Sequence, residues 1–171
     1  GGPIAGICGG FQMMGATLRD PHHVESSADG EAGLGLLPTE TIFCEEKQTA
    51  RVRGTHLESG AEVSGYEIHM GQTSGGQRPA FEITERLGNE VAEMDGASAA
   101  GGRLWGTYIH GVFDSAAFRE HFINSLCAEK GVSPIAEAKN TDLHENLDRL
   151  AEAVRGNLDI NAIYDVMASA K

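Results

Sequence analysis

Basic residues are scarce in this sequence. Thirteen lysines and arginines stand against 25 aspartates and glutamates, a formal charge of −12 over 171 residues. A surface of that sign repels phosphate backbones and anionic headgroups, which argues against nucleic acid and against a membrane surface as partners. Long apolar runs are missing as well. None approaches the roughly 20 residues that span a bilayer, and the chain opens without a signal-peptide pattern. Cysteine is rare: Cys8, Cys44 and Cys127 are the full set. Three widely spaced cysteines speak against a disulfide framework or a zinc cage, and for a reducing, cytoplasmic compartment. No Gly-x-x-x-x-Gly-Lys-Ser/Thr phosphate loop occurs, and neither a metal nor a nucleotide site is expected in this chain.

What is present is ordinary globular composition, 40% hydrophobic and 22% charged, in a chain long enough to bury a core without staples. One domain over residues 1–171 is the expectation. The chain enters at once into the apolar run Pro3–Ile7, which reads as a central parallel strand. A polypeptide starting inside a buried-type strand is expected to be a piece of a longer one. The glycine-rich middle, from about Asp20 to Gly102, shows short strands at Thr41–Cys44, Arg51–Arg53, Val63–His69 and Phe81–Thr84. Arg103–His110 reads as another strand. The last part is helical. Asp114 is the expected N-cap of a helix carrying Phe118, Phe122 and Leu126 and stopped by Gly131. Asp142 with Glu145 suggests a capping box before Leu147, Leu150 and Val154, and Asp159 starts a final short helix. The fold class is therefore α/β: a mostly parallel sheet with flanking helices and an antiparallel extension from the middle region.

The sharpest chemical signal is Gly6-Ile7-Cys8-Gly9-Gly10. A nucleophile flanked by small residues at this spacing is the elbow pattern, in which a strand turns abruptly into a helix. The helix N-terminus sets free N–H groups beside the sulfur, and the Gly9 N–H is aimed at an oxyanion formed by attack from Cys8. A thiol nucleophile needs a base, and seven histidines compete. His22 and His23 lie in a loop, His56 in a polar turn, His121 and His144 on helices facing solvent. His69 and His110 each end an apolar alternating run just before glycine. His110 is the stronger candidate, because strand ends form the reactive edge of an open α/β sheet. Gln12, one helical turn past the elbow, is by itself an ordinary polar residue of a helix surface.

Three segments together carry a resemblance: Gly6–Gly15, Gly65–Gly71 (Gly-Tyr-Glu-Ile-His-Met-Gly) and Gly106–Asp114. They look like the glutamine amidotransferase domain of cobyric acid synthase. Gly33–Thr41 and the tail around Leu147–Ala151 are similar, so the likeness runs in order along nearly the whole chain. The first motif is shared by many class I amidotransferases; the second and third are more specific to the cobyric acid branch.

The resemblance implies an ATP-dependent ligase that amidates carboxylates of the corrin ring in cobalamin synthesis. In it a synthetase domain uses ATP and Mg, and the amidotransferase domain releases ammonia from glutamine. It implies Cys8 as nucleophile, His110 as base and Gln12 as a residue holding the glutamine. The expected partners are glutamine, the synthetase domain and its corrinoid substrate. Two departures matter. The glutamate that most class I enzymes carry two residues after the histidine is replaced by Val112, as in the cobyric acid branch, so His110 lacks an evident orienter. The family also has a segment ahead of the elbow, with sheet strands and a second oxyanion donor. Without it, the chain is expected to hydrolyse glutamine poorly and to self-associate. The alternatives are the glutaminase subunit of a ligase that amidates peptidoglycan precursors, and a non-catalytic module that keeps the fold.

Overall fold

The computed structural model describes residues 2–76, 78–135 and 143–169. The chain divides into two compact units, Gly1–Ala138 and Lys139–Lys171.

In the first unit, strand β1 (Ile4–Ile7) runs through Cys8 into helix α1 (Gly9–Met14). Seven strands follow: β2 (Thr17–Arg19), β3 (Gly30–Ala32), β4 (Glu40–His56), β5 (Glu62–Ser74), β6 (Phe81–Arg86), β7 (Asn89–Asp95) and β8 (Ala97–Ala99). Strand β9 (Leu104–Thr107), a 3₁₀ turn (Val112–Asp114) and helix α2 (Ala116–Lys130) close the unit. Two sheets result. One has the order β1-β9-β8; the other has β3-β2-β4-β6-β7, with β5 added on β4.

The α/β class holds, but the sheets are mixed rather than mostly parallel. Only β1/β9 and β2/β4 pair in parallel among the described strands, and the other pairs are antiparallel. The reason is β4. The two short strands read at 41–44 and 51–53 are one 17-residue strand that follows β5 along one edge. On its other edge it pairs β2 near its start and β6 near its end. The extra residues between Phe43 and Gln48 are taken up as a bulge against β5, which local apolar alternation reads as an end.

Among the described strands β1 pairs with β9, in parallel as read, and Ile4 is 41% exposed. Helix α2 starts one residue later than read. Ser115, not Asp114, stands at its N-cap without a side-chain cap, because the Ser115 hydroxyl accepts from the Ser64 amide on β5 (3.1 Å). The Gly131 stop holds: its φ is 65°, and its N–H returns to the end of α2.

Two apolar clusters fill the unit. One gathers Phe81, Trp105, Ile109, Val112 and Phe118; the other gathers Phe11, Met14, Leu37, Ala97 and Tyr108. Residues 105–112 therefore feed both, which pins the chain leading to His110. In the second unit, helices α3 (Leu143–Asn157) and α4 (Ile160–Ser169) fall where the sequence puts them. Asp159 accepts from the Ala162 amide at the start of α4 (3.0 Å). Asp142 lies outside the described residues. No helix among those described is long and apolar enough to cross a membrane.

Candidate active site

The elbow is built as the sequence implies. Ile7 pairs with Thr107 in register, and the Cys8 N–H continues the ladder to the Thr107 carbonyl (2.9 Å). Cys8 then takes φ 54° and ψ −114°, a positive φ that non-glycine residues seldom adopt. Its carbonyl accepts the first intrahelical bond, from the Gln12 N–H (3.0 Å). Gly6 is required by steric room: a Cβ there would sit 2.8 Å from the backbone of Gly10. Because α1 begins at Gly9, its first amides have no intrahelical acceptor.

The thiol of Cys8 reaches across to strand β5, where its Sγ lies 3.5 Å from the Ile68 carbonyl oxygen. Two residues back on that strand, Tyr66 forms a two-way backbone bridge with His110. The His110 N–H donates to the Tyr66 carbonyl (2.8 Å), and the Tyr66 N–H donates to His110 (3.2 Å). Gly65 makes this approach possible, since a Cβ on it would fall 2.0 Å from the His110 carbonyl. Cys8 and His110, 102 residues apart in the chain, thus meet the same stretch of β5, two positions apart. No thiol–imidazole hydrogen bond joins them among the described residues. The His110 Nε2 is buried and has no hydrogen-bond partner among the described residues.

The imidazole plane is set by Tyr66. The two rings are stacked with centroids 4.9 Å apart and planes within 7°. Val112, where most class I enzymes carry an acid, is fully buried in the aromatic cluster of Phe118 and Trp105. A carboxylate there would enter an apolar core with a large desolvation cost.

Gln12 is not on the helix surface. It is buried, and its Nε2 donates to the Tyr108 hydroxyl (3.2 Å). That hydroxyl also bonds Thr73 (2.6 Å), whose Oγ1 bonds Thr41 (2.7 Å). The Tyr108 ring is held between Phe11 (5.3 Å) and His69 (3.8 Å). Burial, the leading cause, keeps its phenol pKa above the usual value. His69, the other strand-end candidate, is thereby committed: it stacks on Tyr108, and its Nδ1 lies 2.8 Å from the Gly71 carbonyl.

Beside the His110 loop sits a buried acid that no local motif singles out. Asp95 ends β7, receives the Thr107 hydroxyl, and accepts the Tyr108 N–H (3.2 Å). Thr107 in turn accepts the Ile109 N–H (3.0 Å). Burial pushes the Asp95 carboxyl up to about 6, with hydrogen bonds from Thr107 and Tyr108 opposing it. The other histidines are elsewhere. His22 and His23 are exposed. His56 is buried at the end of β4 rather than in a polar turn, with His121 at 5.5 Å. His121 is accordingly half-buried, not solvent-facing, whereas His144 is exposed.

On the sheet face that carries Tyr66 lies an open groove of about 720 Å³, walled by Arg51, Arg53, Glu85 and Asp114. Arg51 is the cross-strand partner of Tyr66, and Tyr66 is the partner of His110. Residues directly opposite in a ladder point to the same face, so Arg51, Tyr66 and His110 stand in a row. Neither arginine forms an ion pair with a described residue. Strand alternation in Gly65–Gly71 puts Tyr66 and Ile68 on one face, but nothing in the sequence states the register that brings Arg51 and His110 beside them.

Residues 1–118 match the CobB/CobQ-like glutamine amidotransferase domain. Proteins described as cobyric acid synthase are similar along 96–97% of this chain. The one from Clostridium acetobutylicum is 45% identical over 171 residues, that from Dehalococcoides mccartyi 43% over 173, and that from Desulforamulus reducens 44% over 176. The chain spans about a third of the length of each, 34%. With the elbow in place and the match covering more than half its length, this chain belongs to the CobB/CobQ-like glutamine amidotransferase family.

Proposed function

We propose that this chain releases ammonia from glutamine for an ATP-dependent ligase of the cobyric acid synthase type, which amidates carboxylates of a corrinoid in the cytoplasm. The observation that carries the glutaminase reading is the convergence of the Cys8 thiol and His110 on the stretch Tyr66–Ile68 of β5. The corrinoid product follows from the name of the relatives, each about three times this chain's length; the ATP-dependent partner domain follows from the family resemblance, and the compartment from the three widely spaced cysteines.

In this reading the Cys8 sulfur attacks the side-chain amide carbon of glutamine, its proton passing to His110 Nε2, the buried nitrogen without a partner among the described residues. The tetrahedral oxyanion is met by the Gly9 N–H at the start of α1. Collapse breaks the C–N bond, the His110 proton goes to the leaving nitrogen, and ammonia departs, leaving a γ-glutamyl thioester. Water then attacks the thioester with His110 again as base, giving glutamate and the free thiol. Gln12, tied by its Nε2 to Tyr108, keeps an amide oxygen to turn toward the substrate. Arg51 offers a counter-charge for the glutamine α-carboxylate. It lies two strand spacings, roughly 10 Å, from His110, a span that an extended glutamine and an arginine side chain bridge together. Glu85 and Asp114 on the same groove suit the α-ammonium.

The test is covalent trapping. A glutamine analogue with an electrophilic carbonyl in place of the amide should add once per chain, at Cys8, with Cys44 and Cys127 spared, and free glutamine should protect. Labelling spread over the three cysteines, or none at Cys8, overturns the reading.

A further inference from the structure

Two residues after His110, where most class I amidotransferases carry an orienting acid, stands Val112, buried in the core. The ring that does lie against His110 is Tyr66. We propose that Tyr66 is the positioning residue for His110, its aromatic face replacing the carboxylate that orients the base in most class I amidotransferases. The proposal rests on the glutaminase reading above and assigns to that site a residue which the reading itself does not use.

The geometry is specific in three ways. Stacking within 7° fixes the imidazole plane and so restricts rotation about the Cβ–Cγ bond, the torsion that tilts the ring. The reciprocal backbone bonds between the same two residues fix where that plane stands relative to β5. Ile68, two residues on along the strand and on the same face, holds the Cys8 sulfur through its carbonyl. One short strand segment thus sets the nucleophile at one position and the plane of its base at the next on that face. The charged and titratable groups around the loop do not compete for this role. Asp95 is engaged by Thr107 and Tyr108, Glu67 by Arg86, and the Asp114 carboxylate lies against Gly111 with no hydrogen bond to His110 among the described residues. Tyr66 is 49% exposed, so trimming it opens no core cavity. Its contribution is to the face of the histidine.

The experiment compares Tyr66→Leu, Tyr66→Val, Tyr66→Phe and Tyr66→Trp in the full-length protein. The expected result for Leu and Val is a fall in kcat for glutamine hydrolysis of about ten- to a hundredfold with KM nearly unchanged, since misorientation of a base acts on the step and not on binding. Phe and Trp, which keep a flat ring, should restore most of the rate. In the unmodified protein, carbon-bound protons of the His110 ring should show the upfield displacement of a ring stacked on an aromatic face. That displacement should persist in the Phe variant and vanish in Leu. Wild-type kcat in the folded Leu or Val variant, or an unshifted His110 resonance in the unmodified protein, overturns the proposal. Its failure is separable from failure of the glutaminase reading, which would appear as unchanged turnover in Cys8→Ser or His110→Asn.

Discussion

The sulfur of Cys8 lies 3.5 Å from the carbonyl oxygen of Ile68, a residue 60 positions further along the chain. That contact anchors a nucleophile whose backbone is itself held at φ 54°. Strain of this kind costs on the order of 1–3 kcal/mol and persists only where surroundings over-determine it. Cys8→Gly should therefore raise thermal stability or leave it unchanged while abolishing glutamine hydrolysis; a clear fall in Tm would show that the elbow is not strained. Cys8→Ser should abolish glutamine-dependent amidation by the full-length protein and leave amidation from added ammonia largely intact. Equal loss with both nitrogen donors would place Cys8 outside glutamine hydrolysis.

His110→Asn is expected to lower the hydrolysis rate by about 10²–10⁴-fold, the usual range for general-base assistance. Val112→Ala should leave the chemistry nearly intact. It removes two buried methyl groups from the Phe118–Trp105 cluster, so its effect belongs in the melting temperature, at about 1–3 kcal/mol. A rate loss in the valine variant matching that of the histidine variant would contradict this separation.

Arg51→Ala should raise KM for glutamine by about ten- to a hundredfold with a smaller change in kcat, as expected when binding is lost equally from ground and transition states. Arg53, on the same wall but one row further along β4, should matter less. Steady-state kinetics on both variants decide it, and equal effects would make the groove a general anion surface.

Asp95 has a carboxyl held up to about 6 by burial. A carboxyl whose folded value exceeds its unfolded one stabilises the fold fully below about pH 4, and that stability is lost as pH rises through 6. The displacement corresponds to about 3 kcal/mol. Asp95→Asn should flatten the stability profile between pH 4 and 7, read by urea denaturation at each pH. An unchanged profile would show that the carboxyl titrates normally.

His56 acts in the opposite sense over the same range. Burial first, and then the neighbouring His121, lowers its pKa to about 4. The neutral ring is favoured in the fold, so its contribution is present above about pH 6.5 and is lost as pH falls toward 4. His56→Gln should reduce the loss of stability on acidification, with Tm followed from pH 7 to pH 4. A steeper acid loss in this variant would reverse the assignment.

The sequence alone determined what is local. A glycine two residues before Cys8 suits a sharp strand-to-helix turn, because a side chain at Gly6 would meet the backbone of Gly10, and the structure has that turn at Cys8. Gly131 as a helix stop, Asp159 as a helix start and the apolar pattern of α3 are one-turn signals of the same kind. The tertiary structure alone decided what depends on distant partners. Whether 41–44 and 51–53 are two strands or one is settled by β5 running past both. Gln12 is inside because Tyr108, 96 residues away, supplies a hydroxyl, and His56 is inside because Phe81 and Phe118 close over it. The row Arg51–Tyr66–His110 comes from the register of three chain segments. Alternation tells a strand which of its residues share a face, but only pairing tells it which residue of another strand stands opposite.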